Sequence, residues 1–441
     1  MSEYIINGGN PLKGEITVLG AKNVVLPAVA AALMTDDSVT LTNIPLISDL
    51  LLMVEIAQGL GAEAIITKDH CLKIKAGNLN NHKIPLGISA RLRTSFMMIV
   101  PLLARLGRAE IPNPGGCRIG ARPIGRPIEG LNYLGAKINY HRDDGYFHAS
   151  LDKFVGTTFK FDKNSHTGTE MLLLGAVLAQ GQTILENAAA EPEVDDLIKL
   201  LNQMGAKIIR TKPRQIVISG VKKLHGTEYM IMPDRNETVT FAIAALVTRG
   251  DIFVKGSQRE DLKTFLQKLD DVNGGWETFP DGTRFFYQKP LKSTDVQTGP
   301  YPGFMTDWQA PWAVLMTQAN GESLIHETVY EDRFQYTSEL LKMGAKISMF
   351  NPKVSHPEKI YNFNLADDTE NYFHAIKIFG PTKLHNAVIE VPDLRAGATL
   401  VLAALTASGQ SFISGVEHID RGYEKFNERL KLLGAKIKKI S

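Results

Sequence analysis

Two kinds of apolar stretch alternate along the chain. One kind is apolar nearly all round: Val24 to Met34, Thr94 to Gly107, Glu170 to Gly181, Val239 to Gly250, Trp308 to Gly321 and Thr399 to Gly409. The last four run into short strand-like segments, Thr183-Ile184-Leu185, Ile252-Phe253-Val254, Leu324-Ile325 and Phe412-Ile413. A helix without a polar face belongs in an interior, so the pattern predicts six buried helices. The other kind keeps a polar face, as in Asp195 to Met204, where Leu197, Ile198, Leu200 and Leu201 are apolar, and predicts helices that lie outside. These stretches end in a recurring phrase: Leu60-Gly61-Ala62, Leu134-Gly135-Ala136, Met204-Gly205-Ala206, Met343-Gly344-Ala345 and Leu433-Gly434-Ala435, with Val272-Asn273-Gly274-Gly275 as a worn sixth copy. Glycine just past the last helical turn takes the left-handed cap without Cβ strain, and an alternating strand such as Lys207 to Arg210 follows.

Successive glycines of the phrase are 74, 70, 69, 70 and 90 residues apart, so six units account for the chain. Six such units predict an α/β protein of two domains, three units each, dividing near Met232-Pro233. The opening segment, Met1 to Ala21, carries a strand from Glu15 to Val18 and is expected to pair with the C-terminal part. The domains are then 22–232, and 1–21 with 233–441, joined by a double chain crossing near 21 and 232 that would act as a hinge. The wide last interval holds an apparent insertion, Asn351 to Lys383, polar and rich in His, Asn and aromatics, for which the sequence suggests no role.

Composition narrows the function classes. With 44% hydrophobic and 22% charged residues the chain is an ordinary globular protein, neither disordered nor fibrous. A net charge of +2 argues against a nucleic-acid binder working by bulk electrostatics. Apolar runs such as Val24 to Met34 fall short of the roughly 20 residues that span a bilayer, so no membrane crossing is expected. Met1 to Asn10 carries Glu3 and no basic start before an apolar stretch, unlike a signal peptide. Two cysteines, Cys71 and Cys117, are too few for a disulfide framework or a zinc site and suggest a reducing compartment, so a cytoplasmic location is expected.

Polar residues crowd the starts of the buried helices: Lys22-Asn23, Arg91 and Arg93, Lys163 with Ser165, Asp234-Arg235 with Glu237, Asp307, and Asp393 with Arg395. Free N–H groups and a partial positive charge make a helix start an anion site, and converging starts would place one between the domains. The acids and Ser165 have an ordinary alternative use as caps. Cations oppose the helix dipole, so Lys22, Arg93 and Arg395 point instead to an anionic ligand. Pro112 to Pro127 is a loop by its Gly and Pro content, and Cys117 in it, flanked by Arg118 and Arg122, has the setting of a reactive thiol. Cys71, before the strand Leu72 to Lys75, reads as a packing residue. His141, His148 and His166 are isolated, and no metal-ligand spacing, Walker loop or dinucleotide fingerprint is present.

The motifs become specific when taken together. Leu19-Gly20-Ala21-Lys22-Asn23, Pro114-Gly115-Gly116-Cys117-x-Ile119-Gly120-Ala121-Arg122-Pro123, Glu186-Asn187-Ala188-Ala189-x-Glu191-Pro192-Glu193 and Pro233-Asp234-Arg235 follow one another in order. So do Phe304-x-Thr306-Asp307-x-Gln309, Glu327-Thr328-Val329, Asp332-Arg333-Phe334, Asp393-Leu394-Arg395-Ala396 and His418-Ile419-Asp420-Arg421-Gly422-Tyr423-Glu424. Over the whole chain this resembles the UDP-N-acetylglucosamine 1-carboxyvinyltransferases of the enolpyruvyl transferase family. The related shikimate-pathway branch has a Gly-Asn-Ala-Gly-Thr loop that is missing here.

The resemblance implies a two-domain inside-out α/β barrel of six βαβαββ units that closes over its substrates, phosphoenolpyruvate and UDP-N-acetylglucosamine. It implies transfer of the enolpyruvyl group to the sugar 3-hydroxyl with release of phosphate, the first committed step of peptidoglycan precursor synthesis, without metal or cofactor. Lys22, Arg122, Arg395 and Arg421 would hold the two anionic groups of phosphoenolpyruvate, Asp307 would take or position the hydroxyl proton, and Cys117 would protonate the methylene carbon. Asn23, Arg93, Lys163, Ser165 and Val329 match positions that contact the sugar nucleotide, and the cysteine is the one fosfomycin alkylates.

Three departures stand out. The family's Val-Asp-Leu-His after Arg122-Pro123 is here Ile124-Gly125-Arg126-Pro127, its Ser-Val-Gly-Ala-Thr is Ser165-His166-Thr167-Gly168-Thr169, and the segment from Asn351 is added. The first two fall at the nucleotide end of the ligand, so a related enolpyruvyl transferase acting on another nucleotide sugar is the competing reading, with Arg126 either reaching the diphosphate or pointing into solvent. A non-catalytic sugar-nucleotide sensor is the reading from a different class, and intact Cys117, Asp307 and Lys22 argue against it. The sequence gives no oligomeric state.

Overall fold

The six apolar stretches fold into helices that are buried over most of their length. They are Lys22–Ala32, Ile99–Leu106, His166–Ala176, Arg235–Val247, Thr306–Thr317 and Leu394–Thr406 in the computed structural model, which describes residues 2–115 and 124–440. Every residue of Arg235–Val247 is buried, which leaves it no polar face to turn to water. The amphipathic stretches form shorter helices such as Pro192–Gln203, whose Leu197, Leu200 and Leu201 are buried while Asn202 and Gln203 are exposed.

Two compact units result. One comprises Met1–Leu19 and Pro233–Ser441, and the other runs from Gly20 to Met232 on either side of segment 116–123. In the first unit the helices Arg235–Val247, Thr306–Thr317 and Leu394–Thr406 pack pairwise on one another. In the second, Ile99–Leu106 packs on both Lys22–Ala32 and His166–Ala176.

Among the described residues there are six small sheets, three in each unit. Five have four strands and share a plan: an antiparallel outer pair, an antiparallel inner strand and a parallel edge strand, as in Lys207–Lys212, Gln215–Ser219, Gln182–Glu186 and Thr158–Lys160. The sixth has three strands, with Lys83 bridging to Glu110 in parallel where the edge strand would lie.

The first residues of the chain complete the sheet made by the last. Glu3–Asn7 lies antiparallel between Gln410–Ser414 and Lys436–Ile440, and Lys13–Thr17 runs parallel to Asp251–Lys255. Arg429 fastens this segment further, pairing with the buried Glu237 and donating to the Thr17 carbonyl at 2.7 Å. At the passages from one unit to the other, Ala21 N–H donates to the Met232 carbonyl and Asp234 N–H to the Leu19 carbonyl.

The recurring phrase is a helix stop. Gly61, Gly135, Gly205, Gly344 and Gly434 have φ between +88° and +104°. At Gly205 a Cβ would also come within 2.7 Å of His225 Cδ2, so glycine is required there on both counts. In the worn copy the left-handed residue is Asn273, at φ +65°, and not Gly274; asparagine tolerates that region better than other side chains. The stretch Thr94 to Gly107 departs from the expected single helix. It begins as a 3-10 turn, Arg93–Met98, and becomes α-helical at Ile99–Leu106. Pro101 has no N–H to offer the Met97 carbonyl, so it is accommodated in the first turn of a restarted helix. Among the described residues no helix is long and apolar enough to cross a membrane.

Candidate functional site

In the unit containing Pro233–Ser441, three buried helices start beside one another, and the polar residues there meet. Asp234 caps its helix by accepting from Asn236 N–H and Glu237 N–H, and Asp393 caps its own by accepting from Arg395 N–H and Ala396 N–H. Capping therefore accounts for both acids. Asp307, in the first turn of Thr306–Thr317, has its oxygens taken by two guanidiniums. Arg333 Nη2 donates to Oδ1 at 2.9 Å and Arg395 Nε to Oδ2 at 3.2 Å. Arg395 also donates to the Tyr423 hydroxyl at 3.2 Å, and that hydroxyl lies 2.8 Å from Thr240 Oγ1.

Burial alone would lower the Arg395 pKa, but Asp307, Tyr423 and Asp234 outweigh it and raise it. The same holds for Arg333, raised by Asp393, Asp307 and Glu327 against the cost of burial. The result is a nearly buried array of two cations around one carboxylate.

Val329 is presented by a turn built on Glu327, which is fully buried. Its Oε1 accepts from Val329 N–H at 2.7 Å and Tyr330 N–H at 3.1 Å, and its Oε2 from Thr306 Oγ1 at 2.8 Å. Burial raises the Glu327 pKa, against the opposing pull of Arg333 and these donors. One carboxylate thereby ties the Val329 turn to the helix that carries Asp307. Arg421 ends a 3-10 turn, Val416–Arg421, in the same unit.

In the other unit Lys22 opens its helix and its ammonium lies 2.6 Å from Asp49, a buried residue in the first turn of Ser48–Gly59. Asn23 follows it, and Arg93 opens the 3-10 turn. The sequence assigned these cations to a ligand because they oppose the helix dipole. The structure supplies protein carboxylates for two of them, Asp49 for Lys22 and Asp307 for Arg395.

Lys163 precedes the cap of His166–Ala176, and that cap is Ser165, whose Oγ accepts from Gly168 N–H at 3.1 Å. Arg126 has a protein carboxylate as a partner. Its Nε and Nη2 donate to Asp162 Oδ1 and Oδ2 at 2.7 and 3.3 Å, beside Lys163. Burial would raise the Asp162 pKa, yet the Arg126 bond lowers it.

His166 is not isolated. Its Nε2 lies 3.2 Å from Glu170 Oε1, one helical turn on, with Glu191 and Glu193 nearby. Burial works against its charge, but these carboxylates prevail and push its pKa up to about 10. Burial, only partly offset by His166, raises that of Glu170. Both shifts act alike: the stabilisation from His166 is complete below its unfolded pKa of ~6.5 and is lost as the pH rises through about 10. Thermal unfolding should therefore show a midpoint that falls between pH 7 and 10. His166→Val should lower the midpoint at pH 7, by leaving buried carboxylates without their cation, and should flatten that slope. A parent protein whose midpoint is level across this range would refute the assignment of charge.

Cys117 and Arg122 lie outside the described residues. Cys71 is a free, half-buried thiol at the start of the strand Cys71–Lys75. His141 and His148 are also not isolated: their rings stack at 4.2 Å and His148 Nε2 lies 2.8 Å from Asp144. Among the described residues no three His, Cys, Asp or Glu side chains group as they would around a metal ion. Four partners of these side chains went unread in the sequence: Arg333 and Glu327 in one unit, Asp49 and Glu170 in the other. Arg333 and Glu327 fall inside recognisable motifs, but their partners are 26 and 21 residues away, and nothing local marks either as a site residue.

The pattern of the EPSP synthase (3-phosphoshikimate 1-carboxyvinyltransferase) family matches residues 6–430. Among curated proteins, the UDP-N-acetylglucosamine 1-carboxyvinyltransferase of Magnetococcus marinus is 41% identical over 441 residues, covering all of both chains. That of Koribacter versatilis is 41% identical over 443 residues, covering all of this chain and 97% of its own. UDP-N-acetylglucosamine 1-carboxyvinyltransferase 1 of Staphylococcus aureus is 37% identical over 444 residues, again covering both completely. Among solved structures, the enolpyruvyl transferase NikO of Streptomyces tendae superposes with a TM-score of 0.86 at 24% identity, over 99% of this chain and 98% of its own. An EPSP synthase of Acinetobacter baumannii gives 0.74 at 18% identity over the full length of both. At these identities the two structures show a common fold.

Proposed function

Because the chain belongs to the enolpyruvyl transferase family and shares its two-domain α/β fold, we propose that it is the enzyme that transfers the enolpyruvyl group of phosphoenolpyruvate to the 3-hydroxyl of UDP-N-acetylglucosamine. Phosphate is released, and the product enters peptidoglycan synthesis in the cytoplasm. The observation that carries this reading is identity of about 40%, end to end, with relatives named for that activity. In this reading the six sheets and six buried helices are six βαβαββ units, three to a domain, forming an inside-out barrel. The passages near 21 and 232 serve as its hinge.

The residues fit the chemistry in kind. Phosphoenolpyruvate carries a phosphate and a carboxylate, and Lys22, Arg122, Arg395 and Arg421 would hold them by charge-assisted hydrogen bonds. The sugar 3-hydroxyl oxygen attacks C2 of phosphoenolpyruvate while Asp307 takes or positions its proton. Cys117 delivers a proton to the C3 methylene, giving a tetrahedral intermediate. Loss of a proton from C3 and of phosphate from C2 restores the double bond. Arg395 would exchange Asp307 for the ligand's anion, which frees one carboxylate oxygen for the hydroxyl, and Arg333 would keep the other in place. Asn23, Arg93, Lys163, Ser165 and Val329 would contact the sugar nucleotide.

Phosphate release with phosphoenolpyruvate and a panel of nucleotide sugars tests the reading. Release with UDP-N-acetylglucosamine is expected, and release only with a different sugar would overturn the choice of acceptor. Lys22→Ala and Arg395→Ala should each raise the KM for phosphoenolpyruvate. A charge-assisted hydrogen bond of about 1.5 to 3 kcal/mol corresponds to about 10- to 150-fold. Unchanged KM values in both variants would remove these residues from the phosphoenolpyruvate site.

A further inference from the structure

The added segment turns out to be built onto the Val329 turn. Four of the hairpins that follow the helix-stop phrase connect their strands through short turns, 68–70, 142–145, 213–214 and 280–281. Between Ile347–Phe350 and Ala375–Gly380 the connection is instead 351–374, although Phe350 and Ala375 are directly paired. The excursion leaves and returns at one point, where Asn351 closes its neck. Its Oδ1 accepts from His374 N–H at 2.8 Å and its Nδ2 donates to the Tyr372 carbonyl at 3.0 Å.

Within the excursion Tyr361, Phe363 and His374 are each buried to about 95% and form one cluster. Tyr361 stacks on Phe363 at 4.9 Å, and both rings lie about 5 Å from His374. Asp368 Oδ2 lies 2.9 Å from His374 Nε2 and sets the ring. From this cluster three contacts reach the residues that lead into and form the Val329 turn. The Tyr361 hydroxyl lies 3.3 Å from His326 Nε2, Asn362 N–H donates to the Thr328 carbonyl at 2.7 Å, and Glu327 N–H donates to the His374 carbonyl at 2.8 Å.

On its other side the same turn is held by Thr298, whose Oγ1 accepts from Thr328 N–H and whose carbonyl accepts from Thr328 Oγ1. These are the contacts of a brace. A hairpin loop does not bury two aromatic rings and a histidine against another turn merely to join two paired strands. The burial makes sense if the turn must be rigid before its ligand binds, since ordering it beforehand removes that cost from binding.

We propose that the 351–374 segment is a strap that pre-organises the Glu327–Tyr330 turn for the nucleotide sugar, with Tyr361 and His374 as its positioning residues. The inference rests on the proposed function, in which Val329 meets that ligand. It predicts a selective effect, because the strap's contacts go to His326, Glu327 and Thr328, which lead into and form the Val329 turn.

Calorimetric binding of UDP-N-acetylglucosamine and steady-state KM values for both substrates test it in the full-length protein. Tyr361→Ala should weaken nucleotide-sugar binding by about 10-fold while the KM for phosphoenolpyruvate stays within about twofold. Tyr361→Phe, which keeps the ring and loses only the hydroxyl, should recover most of that affinity. His374→Gln, which retains a donor for Asp368, provides a second variant should Tyr361→Ala fail to fold, and should weaken the same substrate alone. Affinities equal to the parent's in folded variants, or equal losses for both substrates, would overturn the strap. A parent protein that binds no UDP-N-acetylglucosamine would instead overturn the functional reading on which it rests.

Discussion

Asp307→Asn should reduce turnover by about two to four orders of magnitude while UDP-N-acetylglucosamine binding remains measurable by calorimetry. The substitution keeps the size of the side chain and removes its charge and its capacity to accept a proton. Removing the charge has a second consequence in this structure. Arg333 and Arg395 lose the carboxylate that each contacts, at 2.9 and 3.2 Å, and the asparagine amide turns an N–H group toward one of the guanidiniums. Arg333 keeps Asp393 at 3.9 Å and Arg395 keeps Tyr423, so the protein should fold with a lowered stability of about 1.5 to 3 kcal/mol. Thermal unfolding alongside kinetics separates the two effects. Near-normal turnover in a folded Asp307→Asn protein would end its assignment as the group that handles the hydroxyl proton.

The second large effect is all-or-none. Fosfomycin should add one equivalent at Cys117 and none at Cys71, more rapidly in the presence of sugar nucleotide. Cys71 is half-buried at the start of a strand, whereas Cys117 stands in a sequence with arginines on both sides. Cys117→Asp should still turn over and should escape the label, because a carboxylic acid can donate a proton but reacts poorly with an epoxide. Peptide mapping that places the adduct on Cys71, or finds no adduct at all, would count against Cys117 as the reactive thiol, and total loss of turnover in a folded Cys117→Asp protein would show that a carboxylic acid cannot stand in for it.

Much of this protein is legible before any coordinates. The apolar-all-round stretches are buried helices because a helix with no polar face has nowhere else to lie, and Arg235–Val247 shows it at every position. The Gly-Ala phrases are helix stops because their glycines occupy φ values that other side chains avoid; where the pattern lacks a glycine at that position, Asn273 takes the strain instead. The short-range rule failed over Thr94 to Gly107, where a continuous apolar pattern is divided into a 3-10 turn, Arg93–Met98, and a helix, Ile99–Leu106. The order of motifs along the chain was enough to indicate the family, and with it the residue types the reaction needs.

Tertiary structure decided how those residues are held. Lys22 with Asp49, Arg395 and Arg333 with Asp307, His166 with Glu170 and Arg126 with Asp162 are pairings of groups that the sequence shows only singly. Arg126 is one such case: its sequence setting read as a loop, whereas the structure puts it in the first turn of the helix Gly125–Tyr133 and pairs it with a carboxylate 36 residues away. The 351–374 segment is another: its aromatics and histidines show no periodicity, and only folding brings Tyr361 and His374 against the turn that carries Val329. The physical division follows the range of the forces. Backbone sterics and the burial of a continuous apolar face act over a few consecutive residues and are written locally in the chain. The partner of a charge or of a buried ring is set by which distant segments the fold brings within a few ångströms.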